Sequence, residues 1–206
     1  MWNIFNFFKH LKRPVMPTPY TDLYKSAKIS PTKKDEVIFI CDRIKAGRAA
    51  YEAVAAISGV PWWFIGITHF MEAGLFYPKH FKYHLHCGDP LTGRTTHVPA
   101  GRPKFNPSMG QKPPSKDNPY SWQESALDAL QYMGYDIVKN WSLENCLILF
   151  ERYNGMGYKR RKVSNPYLWS YTQHYVKGKY VSDGKYDPNA VSKQPGVAAL
   201  MKGLGV

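Results

Sequence analysis

Two groups of polar side chains in this sequence have the types and spacing for acid–base chemistry. Glu72 closes a run of almost wholly apolar residues, and a short polar segment after it carries Asp89, Thr92, Thr95 and Thr96. A carboxyl group among apolar neighbours keeps its proton to higher pH, because burial disfavours the charged form. An acid of this kind, across a cleft from an ionised carboxylate and hydroxyl groups, is the arrangement that cleavage of a glycosidic bond needs.

The element that must position Glu72 is an apolar helix. Residues 61–74 are apolar on nearly all sides of a helical repeat, and Pro61 suits a first helical position. The pattern predicts a helix buried at the centre of the domain. Residues 34–58 have a helical spacing that is interrupted near Gly47, which predicts two consecutive helices or one broken helix.

The polar segment after this helix has a different pattern. Residues 83–98 combine turn signals at 88–90 and 92–93 with strand composition at 95–98, which predicts a small irregular β-hairpin or sheet. A proline-rich surface loop is predicted over 99–120, and further helices over 121–132, from Ser142 onwards, at Pro166, and over 187–204. The predicted fold class is mainly α with a small β component (α+β), with one domain over residues 34–206 behind an N-terminal arm over residues 1–33.

The order of these motifs resembles the lysozyme superfamily. Met71-Glu72 is followed by the predicted hairpin, by helices, and by the motif Glu-Arg-Tyr-Asn-Gly at 151–155. The Tyr-Asn pair is similar to the motif that lines the glycan cleft opposite the catalytic Glu in goose-type lysozymes and lytic transglycosylases. Residues 84–103 resemble a hairpin in lysozyme-like phage and prophage proteins, and the whole resemblance covers roughly residues 35–203.

This resemblance implies roles for the candidate residues. Glu72 would be the general acid, and Asp89, Thr92 and Thr95 are candidates for positioning water or stabilising charge. We expect the substrate-binding residues to be Thr92, Thr96, His97, Tyr153 and Asn154. Glu151 is either a second carboxylate in the cleft or a partner of Arg152.

Two departures from the family patterns leave the reaction type open. Lytic transglycosylases usually have Ser after the catalytic Glu and a Gly-Leu-Met-Gln stretch soon after, whereas this chain has Ala73 and no such stretch. Phage-type lysozymes carry an Asp and a Thr closer to the Glu than Asp89 and the threonines are here. Both hydrolysis and transglycosylation therefore remain as alternatives.

The leading functional prediction is a peptidoglycan-degrading endolysin that cleaves the β-1,4 bond between N-acetylmuramic acid and N-acetylglucosamine. The enzymatic alternatives are a lytic transglycosylase that forms 1,6-anhydro ends and a chitinase- or chitosanase-like glycosidase. A nucleic-acid-binding module and a structural wall-binding protein are the non-enzymatic alternatives.

Charge bears on the choice of partner. The chain has 28 Lys and Arg against 15 Asp and Glu, a formal net charge of +13, and a basic run at Lys159, Arg160, Arg161 and Lys162. Such a surface attracts polyanions, including an anionic cell envelope. Chitosan is cationic and is disfavoured as a substrate. Nucleic acid is also disfavoured, because no helix-turn-helix, zinc-finger or RNP-like pattern is present.

Other classes of site are weakly indicated. Cys41, Cys87 and Cys146 lie far apart without a CxxC pair, so we expect reduced thiols and neither a cofactor nor a metal site. The N-terminal residues lack the pattern of a secretory signal, and no stretch approaches the ~18 apolar residues of a membrane span. We expect a monomeric, phage-encoded protein that is made in the host cytoplasm and released to the cell wall.

Overall fold

The computed structural model describes residues 19–74, 80–96, 99–104, 114–117 and 119–206. This part of the chain is mainly helical, with a small two-stranded antiparallel sheet. Its helices and strands, in chain order, are α1 Pro19–Ser26, α2 Lys34–Ala46, α3 Arg48–Ser58, α4 Trp62–Ala73, α5 Trp122–Tyr132, α6 Leu143–Asn154, α7 Gly157–Arg161, α8 Pro166–Trp169, β1 Lys179–Ser182, β2 Lys185–Asp187 and α9 Val197–Leu204.

The predicted break near Gly47 separates two helices, α2 and α3. A Cβ atom at Gly47 would lie 2.9 Å from the rings of Phe81 and Tyr51, so glycine permits the close approach of these rings. α3 then ends at Gly59, which has a left-handed φ of 71° that disfavours other residues. No single helix among the described residues is long and apolar enough to cross a membrane. α3 and α4 reach that length and composition only when taken together across a bend of 116°.

α4 is the central helix, as the sequence predicts. Phe64, Ile65 and Ile67 are completely buried, and the helix packs against α2, α3 and α9. Phe64 stacks on Phe150 of α6, with ring centroids 4.1 Å apart. The core therefore holds α4 from several sides, and its last turn carries Glu72 to the edge of this core.

The predicted hairpin after α4 is wrong in the part that the structure describes. Within residues 83–96 there is one isolated bridge, between Tyr83 and Pro90, and Thr95 and Thr96 lie outside any strand. Pro90 has no N–H to extend a ladder, and polar side chains bind the backbone instead of leaving it to pair. The sheet lies at β1 and β2, much later in the chain. His97 and Val98 are outside the described residues.

The last predicted helix is shorter than expected. Residues 185–187 form strand β2, and α9 begins only at Val197, after Pro195-Gly196. A Cβ at Gly196 would lie 2.6 Å from the backbone of Leu168, so this glycine allows the chain to pass directly against α8. The predicted helices at α5 and α6 are confirmed, and Ser121 and Glu124 form the predicted capping box at α5.

Part of the predicted N-terminal arm, residues 19–33, lies among the described residues. α1 packs on α6, where the buried Glu151 accepts a hydrogen bond from the hydroxyl of Tyr20. Glu144 accepts from both the N–H and the hydroxyl of Thr21, at 2.9 and 2.5 Å. Residues 20–33 thus belong to the packed domain, while residues 1–18 lie outside the described residues.

Candidate active site

Glu72 lies in the last turn of α4 and is half-buried. Its Oε1 accepts a hydrogen bond of 2.8 Å from the hydroxyl of Tyr167. Burial raises the pKa of Glu72 to about 7, although the hydrogen bond from Tyr167 favours the ionised form and opposes this change. The effect of burial is the larger, so a substantial share of Glu72 remains protonated near pH 7 and can donate a proton.

Tyr167 is held in place by two asparagine side chains. It is the second residue of the short helix α8, and its N–H donates to Oδ1 of Asn165, the residue that caps this helix, at 3.0 Å. Asn154 donates to the same oxygen at 3.2 Å. The Tyr153 ring lies nearly parallel to the Tyr167 ring, with centroids 6.3 Å apart. The predicted Tyr-Asn pair therefore lies close to Glu72. Asn154 is linked to Glu72 by hydrogen bonds that run through Asn165 and Tyr167.

Aromatic hydroxyl groups surround the carboxyl group of Glu72. The pKa values of Tyr153, Tyr135 and Tyr167 are all raised, first by burial and next by the charge of Glu72. Their hydroxyl groups are therefore neutral near pH 7. Burial among such groups is consistent with the raised pKa of Glu72.

The loop after α4 returns to the end of that helix. A Cβ atom at Gly88 would lie 3.8 Å from Cα of Ala73, the neighbour of Glu72. Burial raises the pKa of Cys87 to about 11, and the charges of Asp89 and Glu72 add to this effect. The structure therefore brings the turn at residues 87–89 close to the end of α4.

The polar side chains of this loop are engaged within it. Oδ2 of Asp89 accepts from the N–H of Thr96 at 2.8 Å and from its hydroxyl at 3.1 Å. Thr95 is buried, donates to the carbonyl of Pro99 at 2.5 Å and accepts from the N–H of Arg102 at 3.0 Å. These contacts give Asp89, Thr95 and Thr96 a part in folding the loop. Thr92 is exposed, and His97 lies outside the described residues.

A cleft of about 190 Å³ opens beside Tyr167. Residues of α4, α6, α7, α8 and β1 line it, together with the segment before α9. Its lining includes Met71, Asn154, Tyr158, Tyr167, Lys179 and Gln194. Gln194 closes one edge, because its Nε2 donates to the carbonyl of Met71 at 3.0 Å.

Two charged features of the sequence, Glu151 and the basic run at 159–162, make contacts elsewhere in the fold. Glu151, the alternative second carboxylate, binds Tyr20 of α1 and lies 3.9 Å from Nζ of Lys159. The basic run forms α7 and its C-cap, with all four side chains exposed. Arg161 donates through Nε to the hydroxyl of Tyr180 at 3.0 Å, so part of this run anchors the sheet.

Sequence reasoning missed Tyr167, Asn165 and Lys179. Asn165-Pro166 is a recognisable helix start, with a capping side chain followed by proline at the first helical position. That signal locates α8 but says nothing about the contact between Tyr167 and Glu72, which are 95 residues apart in the chain.

One of the histidines near this loop, His84, has a structural role. His84 is buried, with Nδ1 2.6 Å from the hydroxyl of Ser125 and Nε2 2.9 Å from the carbonyl of Gly93. Within the described ranges, no group of three or more His, Cys, Asp or Glu side chains is arranged to hold a metal ion.

No protein-family model matches the chain, and neither a curated protein nor a solved structure matches it. Its functional assignment therefore rests on the residues of this site.

Proposed function

We propose that this protein cleaves the β-1,4 glycosidic bond between N-acetylmuramic acid and N-acetylglucosamine in peptidoglycan, with Glu72 as the general acid. The observation that carries the proposal is a half-buried carboxyl group with a pKa of about 7 that is bound by Tyr167, a residue that lines the cleft. General acids that act near neutral pH need a pKa in this range. The resemblance of the surrounding motifs to the lysozyme superfamily supports the choice of substrate.

In the proposed reaction, the neutral Glu72 donates its proton to the glycosidic oxygen as the bond to the anomeric carbon breaks. Positive charge then develops on the sugar, and the new carboxylate of Glu72 faces it. Tyr167 continues to donate a hydrogen bond to Oε1, which stabilises the carboxylate that forms. The asparagine pair keeps Tyr167 in the orientation for this bond.

The second half of the reaction differs between hydrolysis and transglycosylation. Hydrolysis needs a positioned water molecule, and Asp89 is the proposed group for that task. A lytic transglycosylase needs no such water, because the carboxylate of Glu72 accepts a proton from the substrate's own 6-hydroxyl group as a 1,6-anhydro ring closes. The local hydrogen bonds of Asp89 and Thr95 favour this second candidate, since both side chains already serve the loop.

The first experiment compares Glu72→Gln with Glu52→Gln on purified peptidoglycan. Glu52 lies exposed on α3 and pairs with Arg48, so it is a matched control away from the cleft. We expect Glu72→Gln to lose at least ~100-fold of the wall-clearing rate, within the usual contribution of a general acid, and Glu52→Gln to keep the wild-type rate. Circular dichroism checks that both variants are folded.

Mass spectrometry of the soluble products separates the reaction types. Reducing N-acetylmuramic acid ends indicate hydrolysis, and 1,6-anhydro ends indicate transglycosylation. Full activity of Glu72→Gln, or cleavage of chitin oligomers with no action on peptidoglycan, would overturn the proposal.

A further inference from the structure

The cleft beside Tyr167 contains groups that the chemistry of Glu72 does not use. Lys179 and Tyr180 of β1 are among its lining residues, together with Asn154 and Tyr158. A side chain here lies within the same small cleft as Tyr167, whose hydroxyl contacts Glu72. Any ligand group that occupies this part of the cleft is held close to the proposed reacting bond.

The backbone beside Lys179 is fixed firmly to α7. The N–H of Tyr180 donates to the hydroxyl of Tyr158 at 3.0 Å, and the hydroxyl of Tyr180 accepts from Arg161. A Cβ atom at Gly157 would lie 2.9 Å from the Tyr180 ring, so this glycine lets the ring lie directly on α7. Lys179 therefore lies in a strand whose next residue is anchored to α7 by two hydrogen bonds.

Lys179 is half-buried, yet within the described ranges it has no ion pair or side-chain hydrogen bond. Asp187 is its partner in the strand register, but Oδ1 of Asp187 already accepts from the N–H groups of Asn189 and Ala190, at 2.8 and 3.2 Å. Lys177, two residues earlier, donates instead to Asn189 at 2.8 Å. A cation that lines a cleft and has no counter-ion among the described residues favours an anionic group on a ligand.

We propose that Lys179 is a specificity-determining residue that binds a carboxylate carried by the muramic acid unit of the glycan. This inference rests on the proposed function and deepens it. Peptidoglycan differs from chitin in the lactyl group of every second sugar and in the acidic peptide joined to it. A cation in the cleft would therefore distinguish the two polymers, whose sugar backbones are otherwise alike.

The experiment measures binding of three glycans of equal length by calorimetry. They are a chitin oligomer, a glycan with free lactyl carboxylates, and a glycan with peptide stems. All variants carry Glu72→Gln as well, so that no ligand is cleaved. We expect Lys179→Gln to weaken binding of at least one carboxylated glycan about tenfold, the usual size of a lost charge-assisted hydrogen bond, and to leave the chitin oligomer unchanged.

The affected glycan identifies the source of the carboxylate, lactyl group or peptide. Lys179→Arg should retain most of the affinity, because it keeps the positive charge. Lys185→Gln is the matched control, since Lys185 is exposed on the neighbouring strand. Its substitution causes the same change in net charge.

Two failures are distinguishable. If wild-type protein cleaves the wall but Lys179→Gln binds all three glycans like its parent, or weakens all three equally, only the role of Lys179 is overturned. If the wild type does not act on peptidoglycan at all, the proposed function fails, and the role of Lys179 fails with it.

Discussion

At the scale of single residues, Glu72 and Tyr167 form the pair whose protonation controls the proposed chemistry. Burial raises the pKa of Glu72 from 4.5 to about 7, and the hydrogen bond from Tyr167 lowers it in part. The active form of a general acid is the protonated one. Activity should therefore be full below about pH 6 and decline as the pH rises through 7.

The variant Tyr167→Phe tests this pair. It removes the donor that stabilises the carboxylate, so the pKa of Glu72 should rise by ~0.5–1 unit and the alkaline limb of the rate profile should move to higher pH. The maximal rate should fall ~10-fold or more, because the carboxylate formed during bond cleavage loses its partner.

A merely structural role for Tyr167 predicts a different profile. In that case the rate would fall by the same factor at every pH, with no shift of the alkaline limb. The pH dependence of kcat/KM on a soluble muropeptide decides between the two.

At the scale of elements, the four-residue helix α8 positions Tyr167 through a cap rather than through length. Asn165 is buried, accepts from the N–H of Tyr167 and also receives the side chain of Asn154. A helix of this length has no intrinsic stability, because the first helical turn is unfavourable to form. Its conformation therefore depends on the cap and on packing against α6 and α9.

We predict that Asn165→Ala lowers the free energy of unfolding by ~1–2 kcal/mol, since a capping side chain and a buried hydrogen bond are both lost. Activity should fall as well, because Tyr167 loses its support. Ser142→Ala is the control: Ser142 is the N-cap residue of α6 but makes no side-chain capping bond, so its loss should cost little.

Denaturant titration of both variants, with wall-clearing rates measured alongside, provides the comparison. Equal midpoints for Asn165→Ala and Ser142→Ala would show that the cap of α8 is unimportant.

At the scale of the whole molecule, a net charge of +13 is available to attract an anionic cell envelope before any specific contact forms. The four residues of the basic run at 159–162 differ in the contacts that they make. Lys159 lies near Glu151, and Arg161 supports the sheet through Tyr180. Arg160 and Lys162 are exposed, and substitution there should leave the packing of α7 intact.

The double variant Arg160→Gln with Lys162→Gln should bind cell-wall preparations more weakly at low salt. The difference should shrink as salt increases, because exposed charges are screened over about 10 Å at 0.1 M ionic strength. Cleavage of a short soluble substrate should remain as in wild type. Sedimentation with the wall at several salt concentrations measures the effect.

The control is Lys25→Gln with Lys34→Gln, an equal loss of charge at exposed positions on α1 and α2. Equal weakening by both double variants would mean that net charge acts as a whole and that the basic run has no special role.

Local sequence patterns predict the elements that depend only on residues close together in the chain. The all-round apolar character of residues 62–71 is sufficient to predict a buried helix, and Ser121 with Glu124 predicts the start of α5. The same kind of information marks the sheet, since Asp183-Gly184 between the strands is a strong hairpin signal. Residues 83–96 have a strand composition that suggests pairing, but Asp89 and Thr95 bind loop backbone there instead.

Apolar patterning is enough to predict that Glu72 ends a buried helix, and a Tyr-Asn pair is visible in the chain at 153–154. The groups that meet the carboxyl group of Glu72 are set by long-range packing. Tyr167 and Lys179 lie about a hundred residues from Glu72 in the chain, and their positions depend on how α8 and β1 pack against α6 and α7. The physical reason is that helix periodicity and capping act within a few residues, whereas burial, and with it the pKa of Glu72, depends on every element around the site.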